Sequence, residues 1–182
     1  MKNILTILPL VFVLIGCVTN DPIPKNVSYV IPKGMSSGYK YSIGTDKLTG
    51  TKFKMATARS DNSIQLSFPY QGAQKPYLAI SRFERFKHKG SVSINVDKGQ
   101  INPIIYNNMP VIHGRFDNEK PVAFMVSKAH TYGSGSTVTL VNGEKFITYA
   151  KKVKKIILEV PFYNDGTRVI TFTTKKGLDK DF

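Results

Sequence analysis

The sequence predicts a mainly β protein: an antiparallel β-sandwich with one short helix. Three observations predict it. Apolar and polar residues alternate in many short runs, turn-forming residues separate those runs, and one segment alone carries a helical period. A period of two places every second side chain on one face, which a sheet with one buried face requires.

The elements follow in order. Tyr39, Tyr41 and Ile43 alternate with Lys40 and Ser42. Ile64, Leu66 and Phe68 alternate with Ser63, Gln65 and Ser67, and Val92, Ile94 and Val96 with Ser91, Ser93 and Asn95. Further strands are expected at Lys52–Arg59, Tyr77–Phe83, Val111–Phe116, Val122–Ser127, Val138–Val141, Lys155–Phe162 and Arg168–Thr173. Turn residues punctuate them: Asp97-Lys98-Gly99, Asn142-Gly143 and Asn164-Asp165-Gly166. Asp-Gly between two apolar runs is a hairpin signal. Phe146, Tyr149, Ala150 and Val153 recur at i, i+3, i+4 and i+7, one apolar face of a helix. A short helix is therefore expected at Glu144–Lys152, packed on the sheet, with Lys151, Lys152 and Lys154 at its C-terminal end. Many short strands with regular turns argue for a sandwich or barrel.

The first residues carry a different signal. Met1-Lys2-Asn3 gives a short positive start, Ile4 to Ile15 is almost unbroken hydrophobe, and Gly16 is a small residue before Cys17, the only cysteine. That layout is a secretory signal. The apolar run falls short of the ~20 residues a membrane-spanning helix needs. Leu14-Ile15-Gly16-Cys17 resembles the lipobox of bacterial lipoproteins. The resemblance implies that the cysteine sulfur receives a diacylglycerol, that cleavage precedes Cys17, and that the new amino terminus is acylated. Residues 1–16 are then a lipoprotein signal peptide. Residues 17–38 are the lipidated cysteine and a flexible tether rich in Pro and Gly, with a short strand at Val27–Ile31. Residues 39–182 are the β-sandwich domain. The expected address is the bacterial cell envelope, anchored by lipid. Val18, rather than Asp, after the cysteine directs the expectation to the outer membrane, facing the periplasm. A lipidated Cys17 leaves no disulfide within the fold.

Charge is the second global fact. The chain holds 26 Lys and Arg against 12 Asp and Glu, a net charge of +14. Such a field favours anionic partners: lipid head groups, lipopolysaccharide phosphates or acidic glycans. Nucleic acid is not an expected partner, because no RNA-binding aromatic motif or zinc spacing is present. Two basic clusters are candidate anion-binding residues. Arg82, Arg85, Lys87 and Lys89 flank Phe83 and Phe86, and Lys151, Lys152, Lys154 and Lys155 form the denser group.

Catalytic signals are weak. His88 lies between two lysines, His113 lies in a strand, and His130 precedes Tyr132-Gly133-Ser134-Gly135-Ser136. That Gly/Ser loop has no strand–turn–helix nucleophile context and reads as a hairpin tip. His113 has no paired His or Cys at metal-binding spacing. Neither a metal nor a cofactor is expected. The acids are few and scattered, which disfavours a glycosidase pair. Asp46, before Thr49 and Gly50, reads as a turn carboxylate bonding nearby N–H groups. Arg115 and Asp117 are two residues apart, so an ion pair on one strand face, fixing the strand end, is expected.

Short motifs run in a recognisable order. Thr45-Asp46-Lys47-Leu48-Thr49-Gly50-Thr51-Lys52 opens it, Arg115-Phe116-Asp117 is central, and Phe146-Ile147, Ile156–Val160, Phe172 and Gly177-Leu178 follow. This resembles the type VI secretion accessory proteins and, more loosely, the invasion-associated locus B family. The resemblance implies a β-sandwich with one helix and no catalytic residues. The expectation is a non-enzymatic, lipid-anchored envelope protein that binds an envelope protein or anionic glycan. It would serve as an accessory of a secretion or envelope complex, or as a phage- or plasmid-derived lipoprotein that blocks a receptor. The alternatives are an envelope hydrolase and a passive structural spacer.

Overall fold

Alternation becomes strands along most of the chain in the structure, a computed structural model that describes residues 38–87, 89–106, 109–127 and 135–182. Cys17, the signal peptide, the tether with its Val27–Ile31 strand, His88, His130 and Ser134 lie outside the described residues. The elements are β1 (Lys40–Thr45), β2 (Lys52–Arg59), β3 (Ile64–Leu66), β4 (Gly72–Gln74), β5 (Tyr77–Phe83), a 3-10 turn (Glu84–Phe86), β6 (Gly90–Asn95), β7 (Ile104–Tyr106), β8 (Met109–Phe116), β9 (Val122–Met125), β10 (Thr137–Thr139), α1 (Gly143–Ala150), β11 (Lys155–Phe162) and β12 (Gly166–Thr173).

Two antiparallel sheets face each other. The first has the order β1-β2-β5-β6-β10 and the second β12-β11-β8-β7. Val111 of β8 pairs with both Ile104 and Met125, so β7 and β9 lie on opposite edges of β8. A bridge between Val126 and Leu140, with Ser127 N donating to the Thr139 carbonyl at 2.9 Å, joins the sheets along one side. The β3–β4 hairpin stands apart as a two-stranded sheet.

The core forms where the apolar positions of both sheets meet. Ala56, Leu78, Ile80, Val92 and Ile94 from the first sheet face Ile112, Phe116, Leu158, Ile170 and Phe172 from the second. A sandwich interior of this kind arises because each strand sends alternate side chains inward. The helix adds Phe146, Ile147 and Ala150. Phe116, Phe124 and Phe146 meet edge to face at 5.2–5.8 Å between centroids. Such offset geometry suits the ring quadrupole.

The helix starts at Gly143 and ends at Ala150, so Lys151 and Lys152 follow it rather than form its last turn. Asn142 is the cap, its Oδ1 accepting from Lys145 N at 3.2 Å. That bond satisfies one of the amides a helix start leaves open. Among the described residues, every buried side-chain nitrogen and oxygen has a hydrogen-bond partner.

Candidate anion-binding surface

The first basic cluster sits where β5 runs out. Its alternation divides the cluster in two. Arg82 shares the inward register of Leu78 and Ile80, whereas Phe83 points outward. Arg82 therefore does not join an anion-binding surface. Its Nη1 and Nη2 donate to the two carboxylate oxygens of Glu144 at 2.7 and 2.8 Å, and its Nε donates to the Phe182 carbonyl at 3.0 Å. The amide of Gly90 donates to the same carboxylate. The sequence placed Arg82 among its exposed neighbours; the strand turns it inward, where an acid on α1 satisfies it.

Arg85 stays outside. Its guanidinium lies 4.7 Å from the Phe86 ring and 5.8 Å from Phe83. Phe83 in turn packs on Phe53 at 5.5 Å and on Phe86 at 6.1 Å. Stacking holds a guanidinium flat while leaving its N–H groups free to bind. Arg85 makes no hydrogen bond among the described residues. Lys87 turns the chain in a left-handed conformation, φ 51°, and its amide donates to the Glu84 carbonyl. Lys87 and Lys89 are both exposed. Asp46 stands near: its Oδ1 accepts from Leu48 N at 2.9 Å and Thr49 N at 3.2 Å, the turn expected from the sequence. The Thr49 and Leu48 amides, with a smaller contribution from Arg85, hold its carboxyl below the usual carboxylate range.

The second cluster splits as well. Lys151 Nζ donates to the Lys180 carbonyl at 2.7 Å. Lys152 lines a cleft of about 570 Å³ with Lys145, Thr148 and Tyr149 on one wall and Asp117 and Glu119 on the other. Both signs of charge face this cleft, so it is a poorer anion site than the Arg85 turn. Lys154 and Lys155 have exposed side chains, and their amides bind Asp117 at 3.1 and 2.8 Å.

Those amide bonds correct a second expectation. Among the described residues no ion pair joins Arg115 to Asp117. β8 ends at Phe116, and Asp117 turns left-handed with φ 48°. The two side chains no longer share a strand face. Asp117 instead caps the start of β11, and Arg115 is exposed. Arg115 lines a depression of about 230 Å³ on the outer face of the second sheet, with His113, Gly114, Pro121, Ile157, Glu159 and Val169. His113 and Glu159 are cross-strand partners there. None of the lining residues is Ser, Thr or Cys. Among the described residues, no three His, Cys, Asp or Glu side chains converge as metal ligands.

One surface contact escaped the sequence. Arg59 covers the Tyr77 ring at 4.9 Å, on the same outer sheet face as Phe53 and Phe83. Its signal was present, because Arg59 and Tyr77 end two predicted strands; their pairing was not readable.

No family model matches the chain, and no curated protein or solved structure matches it significantly. The likeness to secretion-accessory and locus B proteins therefore rests on the short motifs alone.

Proposed function

We propose that this chain is a lipid-anchored protein of the bacterial cell envelope that works by binding an anionic or protein partner there, not by catalysis. Leu14-Ile15-Gly16-Cys17 carries the reading, because it closes a signal-like apolar run on the only cysteine. Several acyl chains on one protein give lasting attachment, since each buried CH₂ contributes ~0.8 kcal/mol. The tether lets the domain stand off the outer membrane into the periplasm. The binding surface is the Arg85, Lys87 and Lys89 turn, with Lys152, Lys154 and Lys155 as a second cationic patch. A net charge of +14 supports an anionic partner such as an acidic glycan or lipopolysaccharide.

The rival reading, an envelope hydrolase, has one observation in its favour: His113 beside Glu159 in a depression. Against it, none of the described residues that line the depression is a Ser, Thr or Cys that His113 could activate.

Anchoring is tested with Cys17→Ser in the native bacterial envelope. The wild-type protein should carry fatty-acyl mass, take up labelled palmitate and pellet with membranes. The variant should lose all three. A wild-type chain with residue 1 retained and no acyl groups would overturn the reading. The hydrolase rival predicts that His113→Ala abolishes biological activity; the binding reading predicts that it does not.

A further inference from the structure

Two arginine–aromatic platforms stand at opposite ends of the outer face of the first sheet. At one end is Arg85 over Phe86 and Phe83, and at the other Arg59 over Tyr77. Tyr77 and Phe83 share the outward register of β5 and, at ~3.4 Å per residue, stand about 20 Å apart. The positions between them are low and hydroxyl-bearing. Ala79 and Ser81 are flanked by Thr57 of β2 and by Ser91 and Ser93 of β6, all half-buried; Met55 is the one long side chain beside them.

We propose that this face binds an extended acidic glycan, its hydroxyls on the Ser and Thr side chains of the middle, its end sugars against the Arg85–Phe86 and Arg59–Tyr77 stacks and its carboxylates on Arg85. The inference deepens the binding role proposed above and rests on it. Sugar rings present C–H faces that suit an aromatic surface, and hydroxyls along their length that need polar partners. This face offers both in that order: ring, hydroxyls, ring. A protein partner would need several large apolar anchors at the centre, and the centre here holds one, Met55, among Ala79 and the hydroxyls of Thr57, Ser81, Ser91 and Ser93. Phe86 is 52% exposed, which is open enough to stack. Charge favours an acid. Lys40, Arg85, Lys87 and Lys89 border the face. Of the nearby acids, Asp97 meets Arg59 at 3.5 Å, Asp46 is held by its own turn amides, and Glu84, beside Arg85, is exposed and outnumbered by the four cations. A carboxylate reaching Arg85 gains charge-assisted bonds that a neutral sugar does not.

The test uses the detergent-solubilised full chain and three probes: oligogalacturonate, a neutral maltooligosaccharide and polyglutamate. Titration calorimetry should show oligogalacturonate binding well above both others. Phe86→Ala and Arg85→Gln should each weaken it about tenfold. Ser81→Trp, which raises a barrier midway between the platforms, should do the same, while Lys176→Gln, at an exposed lysine outside both cationic patches, should leave it unchanged. Circular dichroism of each variant confirms folding. If polyglutamate binds as well as oligogalacturonate and Ser81→Trp is silent, the cationic turn binds anions but the glycan face is wrong. If none of the three binds, the anionic-partner reading falls with it. A wild-type dimer that Ser81→Trp converts to a monomer would assign the face to self-association and overturn the glycan proposal.

Discussion

Arg82 and Glu144 show how much one half-buried cation can organise. The guanidinium meets the carboxylate through two parallel bonds of 2.7 and 2.8 Å, a fork geometry with charge-assisted strength. Burial tends to raise the Glu144 pKa; the Arg82 bond and the Gly90 amide outweigh it and hold the carboxyl below its usual value of 4.5. A depressed carboxylate pKa stabilises the fold above the unfolded value, and that contribution is lost as pH falls through the folded value. Glu144→Gln should therefore cost about 1 kcal/mol near neutral pH. The figure is well under that of a fully buried pair, because Glu144 is partly solvated. Urea titrations should show the gap between wild type and variant shrink as pH drops below that usual value. A gap independent of pH would refute the assignment. The candidate site was only partly legible in the sequence for the same reason. Arg85, Lys87 and Lys89 were recognisable as exposed cations. The inward turn of Arg82 depended on Glu144, which meets it only in the fold. Asp117 was likewise identifiable as a motif residue, but its partners are amides of β11 that spacing could not name.

Elements were more legible where they were long. β2, β5 and β11 match their expected bounds residue for residue, because each is a stretch of seven or eight residues rich in apolar side chains. β4 and β7 were missed. Each is three residues long, too short for a period, and Pro103 precedes β7. The helix was found by its apolar face, yet it begins one residue earlier than expected, at Gly143. The reason is a close approach. A Cβ on Gly143 would meet the Gly90 carbonyl oxygen, and the Gly90 carbonyl carbon at 3.1 Å. The first turn of α1 thus presses directly on the backbone of β6, and only glycine leaves room for it. Gly143→Ala should destabilise the protein by about 2–3 kcal/mol through overpacking, despite alanine's better helix propensity. Chemical denaturation measures this; a neutral or stabilising result would show that α1 can lift off β6 at little cost.

Across the molecule, the sandwich has two ends, and each is closed by a different device. At one, the β3–β4 hairpin is fastened by Asp165, whose carboxylate accepts from Ser67 N and Oγ at 3.0–3.1 Å and from Arg168 at 3.2 Å. At the other, the inward face of the first sheet carries Ile43, Lys54 and Arg82, which no facing strand covers. The segment Asp179–Phe182 lies against them instead, leaving Ile43 and Lys54 exposed on its far side. Asp179 N donates to the Tyr41 hydroxyl at 2.9 Å, Lys54 Nζ to the Asp181 carbonyl at 3.3 Å, and Arg82 to the Phe182 carbonyl. The Phe182 ring is 7% exposed and packs on Tyr41 at 6.1 Å. It fills the end of the core that strand alternation leaves open. Phe182→Ala should cost about 3 kcal/mol, the lower end for emptying a buried aromatic site, because the backbone bonds to Arg82 and Lys54 survive the change. The loss should appear as a lower urea midpoint with an unchanged slope, since the exposed surface of the unfolded chain hardly alters. Leu48→Ala, at a side chain that is 94% exposed, should leave the midpoint where it is. If both substitutions behave alike, the segment lies on the domain without closing it.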